Sequence, residues 1–145
     1  MIVRVFAAVA LLSLCGACGT MGSADSDATR AAQPCRATAK LMARLELFFG
    51  TGRTTGEPVS EKEWTSFLDS EVTPRFPDGL TMFAGRGQWR SNGGGIVKER
   101  SLMLAVWYEP TSEREAEIEA IRSAYKTRFG QDSVMRVDGV SCVSF

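Results

Sequence analysis

The pattern of apolar and polar positions predicts four strands separated by two helices. In the first strand, residues 43–50, the side chains of Leu45, Leu47 and Phe49 alternate with those of Glu46 and Phe48, as on a strand with one buried face. Three later segments also have the composition of strands; they are residues 80–84, 101–109 and 133–137. The middle one is apolar on both faces, which favours a central strand buried on two sides.

Helical spacing of apolar residues appears in the two intervening segments. Each segment opens with the residue pair of a capping box; the pairs are Ser60 with Glu63 and Ser112 with Glu115. Pro74 disfavours helical geometry at the preceding residue, so the first helix is expected to end near Thr73. Gly130 is placed to end the second helix.

The order strand, helix, strand, strand, helix, strand predicts an α+β fold of the ferredoxin-like β-α-β-β-α-β type. Two helices cover one face of a four-stranded antiparallel sheet, in which the first and third strands are central. Asp138 and Gly139 interrupt the last strand. Residues 140–145 therefore either continue it past a bulge or return as a hairpin.

The N-terminus has the layout of an export signal, with Arg4 followed by an apolar run over residues 5–14. The following cysteines resemble a bacterial lipobox, with Cys18 as the lipidated residue and Cys15 as the less suitable alternative. We expect a lipoprotein-type signal peptide over residues 1–17, a flexible tether over 18–38 and a single α+β domain over 39–145. An N-terminal lipid, such as palmitate, would hold this exported protein on a membrane of the bacterial cell envelope. The alternatives are a secreted or periplasmic soluble protein and an uncleaved anchor.

The charge balance and the absence of histidine exclude several functions. The chain has 17 basic and 17 acidic residues and no histidine. Without a basic surface, nucleic-acid binding is not expected. Serine and cysteine catalysis that depends on histidine is excluded, and we expect neither a metal nor a cofactor.

Cys35 and Cys142 remain after processing at Cys18. Export brings them into an oxidising compartment. In the expected topology Cys35 precedes the first strand and Cys142 lies near the end of the adjacent last strand. The sequence therefore predicts a disulfide between them.

Candidate chemistry concentrates on the sheet face away from the helices. Glu46 is expected there, on a central strand, and is a weak candidate for a general base. Its alternative role is an exposed or arginine-paired carboxylate. Four aromatic residues are expected to line the same face, namely Phe48, Phe83, Trp107 and Tyr108. An uncovered apolar face indicates a homodimer or a groove for a small ligand whose identity is unknown.

A second candidate is a ligand-binding cluster, whose members are Arg75, Arg86, Gln88, Trp89 and Arg90. Guanidinium groups that converge at one end of the sheet would bind a carboxylate or a phosphate. The alternative is that each arginine pairs with Asp69, Asp78, Glu99 or Glu109. The glycines of "GRGQWR" do not form a phosphate loop, because the segment connects two strands. Gly85 and Gly87 are instead expected to mark a bulge or the end of a strand.

Several segments resemble the domain-of-unknown-function family 3574, whose members are small proteins of bacterial envelopes and secretomes. They are "LELFFGTG", "VSEKEWTSFLDSEVTPRFPDGLT", "GQWR" and "SCVSF". The resemblance extends over residues 43–145, implies export and a single small domain, and assigns no catalytic residue. The sequence therefore predicts a lipid-anchored envelope protein that is a non-catalytic binding or interaction module. The alternative is a small cofactor-free enzyme whose site lies on the open sheet face of a dimer.

Overall fold

The chain forms four strands and two helices in the predicted order. The computed structural model describes residues 35–91 and 93–145. The predicted signal peptide, Cys18 and most of the predicted tether lie outside the described residues. In chain order the elements are β1 (Lys40–Gly50), α1 (Glu61–Phe67) with a π-helical turn (Leu68–Val72), β2 (Thr81–Arg90), β3 (Ile96–Tyr108), α2 (Ser112–Phe129) and β4 (Met135–Val143).

The sheet is antiparallel and has the strand order β2-β3-β1-β4. This is an α+β fold with β1 and β3 in the centre, as predicted. Leu45, Leu47 and Phe49 of β1 are fully buried, which confirms the alternation in the sequence. The strands therefore bury one face against the helices and leave the other face without a covering element among the described residues.

The core is a cluster of aromatic rings between the sheet and both helices. Phe49 of β1 lies 5.0 Å from Trp64 of α1 and 4.7 Å from Tyr125 of α2, measured between ring centroids. Phe67 lies 5.1 Å from Tyr125 and extends the cluster towards Phe129. Burial of large rings is the main apolar contribution to stability in a domain of this size.

The first capping box is present as predicted. The Ser60 hydroxyl accepts the Glu63 N–H, and the Glu63 carboxylate accepts the Ser60 N–H. Arg53 also donates to Glu63 over 2.7 Å, and these hydrogen bonds lower the pKa of Glu63 to about 2. Helical backbone continues to Val72, two residues before Pro74, although its last turn is π-helical, which the sequence did not predict.

The N-cap of α2 is Thr111 and not Ser112. The Thr111 hydroxyl accepts the Arg114 N–H, and Ser112 is already the first helical residue. The capping box predicted at Ser112 and Glu115 is therefore wrong, because the hydroxyl of the preceding Thr111 takes the cap position. Gly130 ends the helix at φ 66°, as predicted.

We expect Thr111→Ala to lower the free energy of unfolding by about 1 kcal/mol, because it removes the cap acceptor. Ser112→Ala is the matched control and should leave stability almost unchanged. Chemical denaturation of both variants measures the difference. Equal losses in the two variants would contradict the assignment of Thr111 as the cap.

The predicted interruptions of β2 and β4 are wrong. β2 runs to Arg90 through Gly85 and Gly87, which pair in register with Ser101 and Glu99. β4 runs through Gly139, which pairs with Arg44. In both strands the cross-strand ladder holds the backbone extended, and this compensates for the low strand propensity of glycine. Residues 140–143 thus continue the strand without a bulge or a hairpin.

The predicted disulfide is present. The Cα atoms of Cys35 and Cys142 are 5.4 Å apart, and the bond joins the segment before β1 to β4 across a separation of 107 residues. It connects the first described residue to an edge strand of the sheet.

Candidate functional site

The sheet surface away from the helices, the open face, carries the side chains that alternate with the buried ones. Its central positions follow from the alternation along each strand and from the strand pairing; they are Thr81 and Phe83 of β2, Met103, Ala105 and Trp107 of β3, Arg44, Glu46 and Phe48 of β1, and Met135, Val137 and Gly139 of β4. Tyr108 was predicted here but lies on the opposite side, because it follows Trp107 along β3. Its ring packs against buried Phe76, at 5.8 Å between centroids.

The open face exposes large apolar side chains. The exposed fractions are 52% for Phe83, 40% for Trp107, 55% for Met135 and 36% for Val137. Trp89, at 43%, lies further along β2 on the same side. Since isolated apolar residues are normal on protein surfaces but extended patches are not, this set identifies the open face as a candidate interaction surface.

Arg44 and Glu46 form an ion pair at the centre of this apolar surface. The Nε of Arg44 and the Oε1 of Glu46 are 3.4 Å apart. The guanidinium lies over β4, where a Cβ added to Gly139 would be 3.2 Å from Nη2 of Arg44. Gly139 thus leaves the space that Arg44 occupies. Nε of Arg44 is shielded from solvent and has no hydrogen-bond partner among the described residues.

Glu46 occupies the predicted position and is the arginine-paired carboxylate that the sequence offered as the alternative to a base. Its side chain is 26% exposed. Two surface depressions lie elsewhere. One, of about 630 Å³, borders the outer side of α1 near Glu61 and Asp69, and the other, of about 320 Å³, lies between Arg53 and Phe129. Neither of these two depressions includes Glu46.

The predicted ligand-binding residues are divided between two places. Arg75 precedes β2 and pairs with Glu71 at 3.1 Å, not with any of the four carboxylates expected from the sequence. Arg86, Gln88 and Arg90 lie on the second half of β2, in the part of the β2–β3 hairpin that extends beyond β1. Trp89 points to the other side of this strand. Neither Arg86 nor Arg90 has an ion-pair partner within residues 35–91 and 93–145.

Glu99 forms a polar cluster that the sequence did not indicate. Its Oε2 accepts the Gly52 N–H, and Gln131 donates to the Gly52 carbonyl. A Cβ at Gly52 would be 2.6 Å from Oε2 of this carboxylate, so the Glu99 side chain would have to shift to admit any other residue there. On the other side of β1, the Tyr125 hydroxyl donates to the Gly50 carbonyl over 2.8 Å. Desolvation raises the pKa of Glu99, while hydrogen bonds from the Gly52 and Thr51 backbone lower it in part.

We expect Glu99→Gln to remove a component of the pH dependence of stability. Because the folded-state pKa lies above the unfolded value of 4.5, the stability linked to Glu99 is complete below this pH and is lost as the pH rises through the folded-state pKa. Glutamine keeps an acceptor for the Gly52 amide and carries no charge. The variant should therefore be at least as stable as the wild type at neutral pH. Denaturation from about pH 4 to pH 8 tests this, and an unchanged profile would contradict it.

Arg136 connects the edge strand β4 to α2. It donates to Glu115 over 2.6 Å and to Glu119 over 3.0 Å, and it also binds Asp138. Hydrogen bonds from Arg136 lower the pKa of Glu115. These ion pairs hold the edge strand against α2, so they indicate a role in stability for Arg136.

Comparison with solved structures places the fold among known proteins. A phage SAM lyase in complex with S-methyl-5'-thioadenosine is 14% identical, with a TM-score of 0.57 over 72% of this chain and 90% of the lyase chain. The phage SAM lyase in its apo state is also 14% identical, with a TM-score of 0.53 over 77% and 94% of the two chains. CutA from Synechococcus elongatus PCC7942 is 13% identical, with a TM-score of 0.46 over 71% of this chain and 83% of CutA. The two lyase structures share the fold of this chain. Their sequence identity of 14% supports no conclusion about its function.

The remaining findings concern the hydropathy of the helices and the comparisons by sequence. No helix within residues 35–91 and 93–145 has the length and hydropathy needed to cross a membrane. No curated protein matches the chain in sequence. The family model described as a protein of unknown function, DUF3574, matches residues 44–145. The chain therefore belongs to the DUF3574 family.

Proposed function

We propose that the protein is an exported, lipid-anchored component of the bacterial cell envelope that acts by non-catalytic association through its open face. The supporting observation is the set of exposed apolar side chains around the Arg44–Glu46 pair. Burial of such side chains against another protein surface is favourable by roughly 25 cal/mol per Å² of apolar area. Association through such a surface does not require an enclosed cavity. An enzyme that used Glu46 as a base would, in contrast, need to exclude water from the Glu46 carboxylate.

The anchor is proposed at Cys18. Labelled palmitate should enter the wild-type protein and the Cys15→Ser variant, and both should sediment with membranes. Cys18→Ser should lose the label and the membrane association. Label that persists in Cys18→Ser but is lost in Cys15→Ser would move the anchor to Cys15. The absence of label from all three proteins would leave simple secretion or an uncleaved anchor.

The association is tested by photo-cross-linking in intact cells. A photo-reactive residue at Phe83, in the open face, should form a defined cross-linked species. The same residue at Lys62, on the exposed outer side of α1, is the matched control and should form none. If the two positions cross-link equally or not at all, the open face is not the surface through which the protein associates.

A further inference from the structure

Two rows of side chains on the open face are complementary to each other. A row is the set of residues that lie opposite one another on neighbouring strands. Each row is numbered by its residue on β1. Row 44 consists of Trp107, Arg44 and Gly139, and row 46 consists of Ala105, Glu46 and Val137. On each strand one row has the bulkier or the positive side chain, and the other has the smaller or the negative one.

We infer that the open face binds a second copy of this chain about a twofold axis that crosses the strands at the level of Leu45. This inference rests on the proposed function and identifies its partner. Such an axis places row 44 of one copy over row 46 of the other, since a twofold interface is self-complementary. Arg44 then faces Glu46 of the second copy, and Trp107 faces Ala105. Val137 faces Gly139 and the Arg44 guanidinium that lies over it.

The contacts within one copy leave Arg44 ready for this pairing. The Nε of Arg44 lies 3.4 Å from Oε1 of Glu46, which is long for a charge-assisted hydrogen bond, and 40% of the Arg44 side chain is exposed. A carboxylate from the second copy would supply acceptors for the remaining N–H groups. Both charges of each copy are then paired, which an apolar interface requires.

Size and packing also fit a second copy. Trp107 is 40% exposed, so a large ring projects towards the second copy, and the facing Ala105 has only a methyl side chain. Four strands that are about 4.8 Å apart and about seven residues long give an open face of roughly 19 by 23 Å. With side chains included, two such faces bury on the order of 1,200 Å², which is the lower end of the range for stable interfaces. The formal net charge of +0 adds no repulsion between copies.

The test uses two charge reversals, Arg44→Glu and Glu46→Arg, each in the full chain with Cys18→Ser so that no lipid drives association. Either variant alone places like charges opposite each other twice in the dimer, so its self-association should weaken at least tenfold. In a mixture, the two glutamates of one variant face the two arginines of the other. The mixture should therefore form a dimer of one copy of each, detected by native mass spectrometry.

Recovery of dimer formation in the mixture would show that the substitutions act on the interface and not on folding. A variant that had failed to fold could not be restored by mixing. Lys62→Glu is the control and should associate like the wild type. The inference is overturned if the wild type is monomeric by sedimentation, if each variant associates as the wild type does, or if the mixture remains monomeric. If the wild type is monomeric while Phe83 still cross-links to another protein in cells, only the identity of the partner is wrong. If Phe83 also fails to cross-link, the proposed function fails as well.

Discussion

Replacement of both Cys35 and Cys142 with serine is expected to lower the free energy of unfolding by about 4–5 kcal/mol. The disulfide closes a loop across a separation of 107 residues, and the entropy that a cross-link removes from the unfolded chain grows with loop length. Because small domains have only about 5–15 kcal/mol of stability, the variant should lie near the limit of folding at physiological temperature. Urea denaturation of the oxidised wild type and the double variant measures the difference.

The reduced wild type is the control for this result. It should unfold at the same urea concentration as the double serine variant, since both lack the cross-link. Fraying of the β1 and β4 ends should accompany the loss and appear as faster amide exchange around Lys40 and Val143, which pair at the sheet end. If all three proteins unfold together, the disulfide makes no contribution to stability.

Trp64→Ala is expected to lower the free energy of unfolding by about 3–5 kcal/mol, through lost burial and the cavity that remains. Trp64 is fully buried and lies 5.0 Å from Phe49 and 5.9 Å from Phe67 and Tyr125, between ring centroids. These contacts join α1 to the sheet and to α2. Denaturation followed by far-ultraviolet circular dichroism is suitable, because it does not depend on the fluorescence of the removed tryptophan.

Trp107→Ala is the matched control, since it removes the same side chain from the open face. At a protein concentration low enough for every variant to be monomeric, its loss should cost much less, because 40% of the residue is already exposed. Trp64→Phe should also cost less than Trp64→Ala, because it keeps a ring and removes an indole N–H that has no acceptor in the described part of the chain. Equal losses at Trp64 and Trp107 would contradict the position of the core.

Local pattern was sufficient to predict the order of elements, the central strands, the start of α1 and the end of α2. Leu45, Leu47 and Phe49 alternate strictly and are all buried, and Ser60 with Glu63 forms the expected capping box. The disulfide followed from the same topology. These features depend on neighbouring residues or on the general rules of the fold, which a single sequence contains.

The errors arose where contacts between distant residues decide the structure. Gly85, Gly87 and Gly139 were taken to interrupt strands, but their pairing partners hold them extended. At Gly139 the missing side chain makes room for Arg44, which is 95 positions earlier in the sequence. Alternation could have placed Arg44 beside Glu46, two residues apart on one strand face. Nothing local could have placed Glu99 against Gly52, because that contact depends on strand register.

We expect the open face to be covered when the protein functions. Hydroxyl-radical labelling of the protein in intact cells, compared with dilute purified protein, measures this directly. Trp107 and Met135 should be protected in cells, whereas exposed Leu41 and Ile96, which lie on the other side of their strands, should label equally in both samples. Equal labelling of Trp107 and Met135 in the two samples would show that the open face is uncovered in the cell, and it would contradict association through this face.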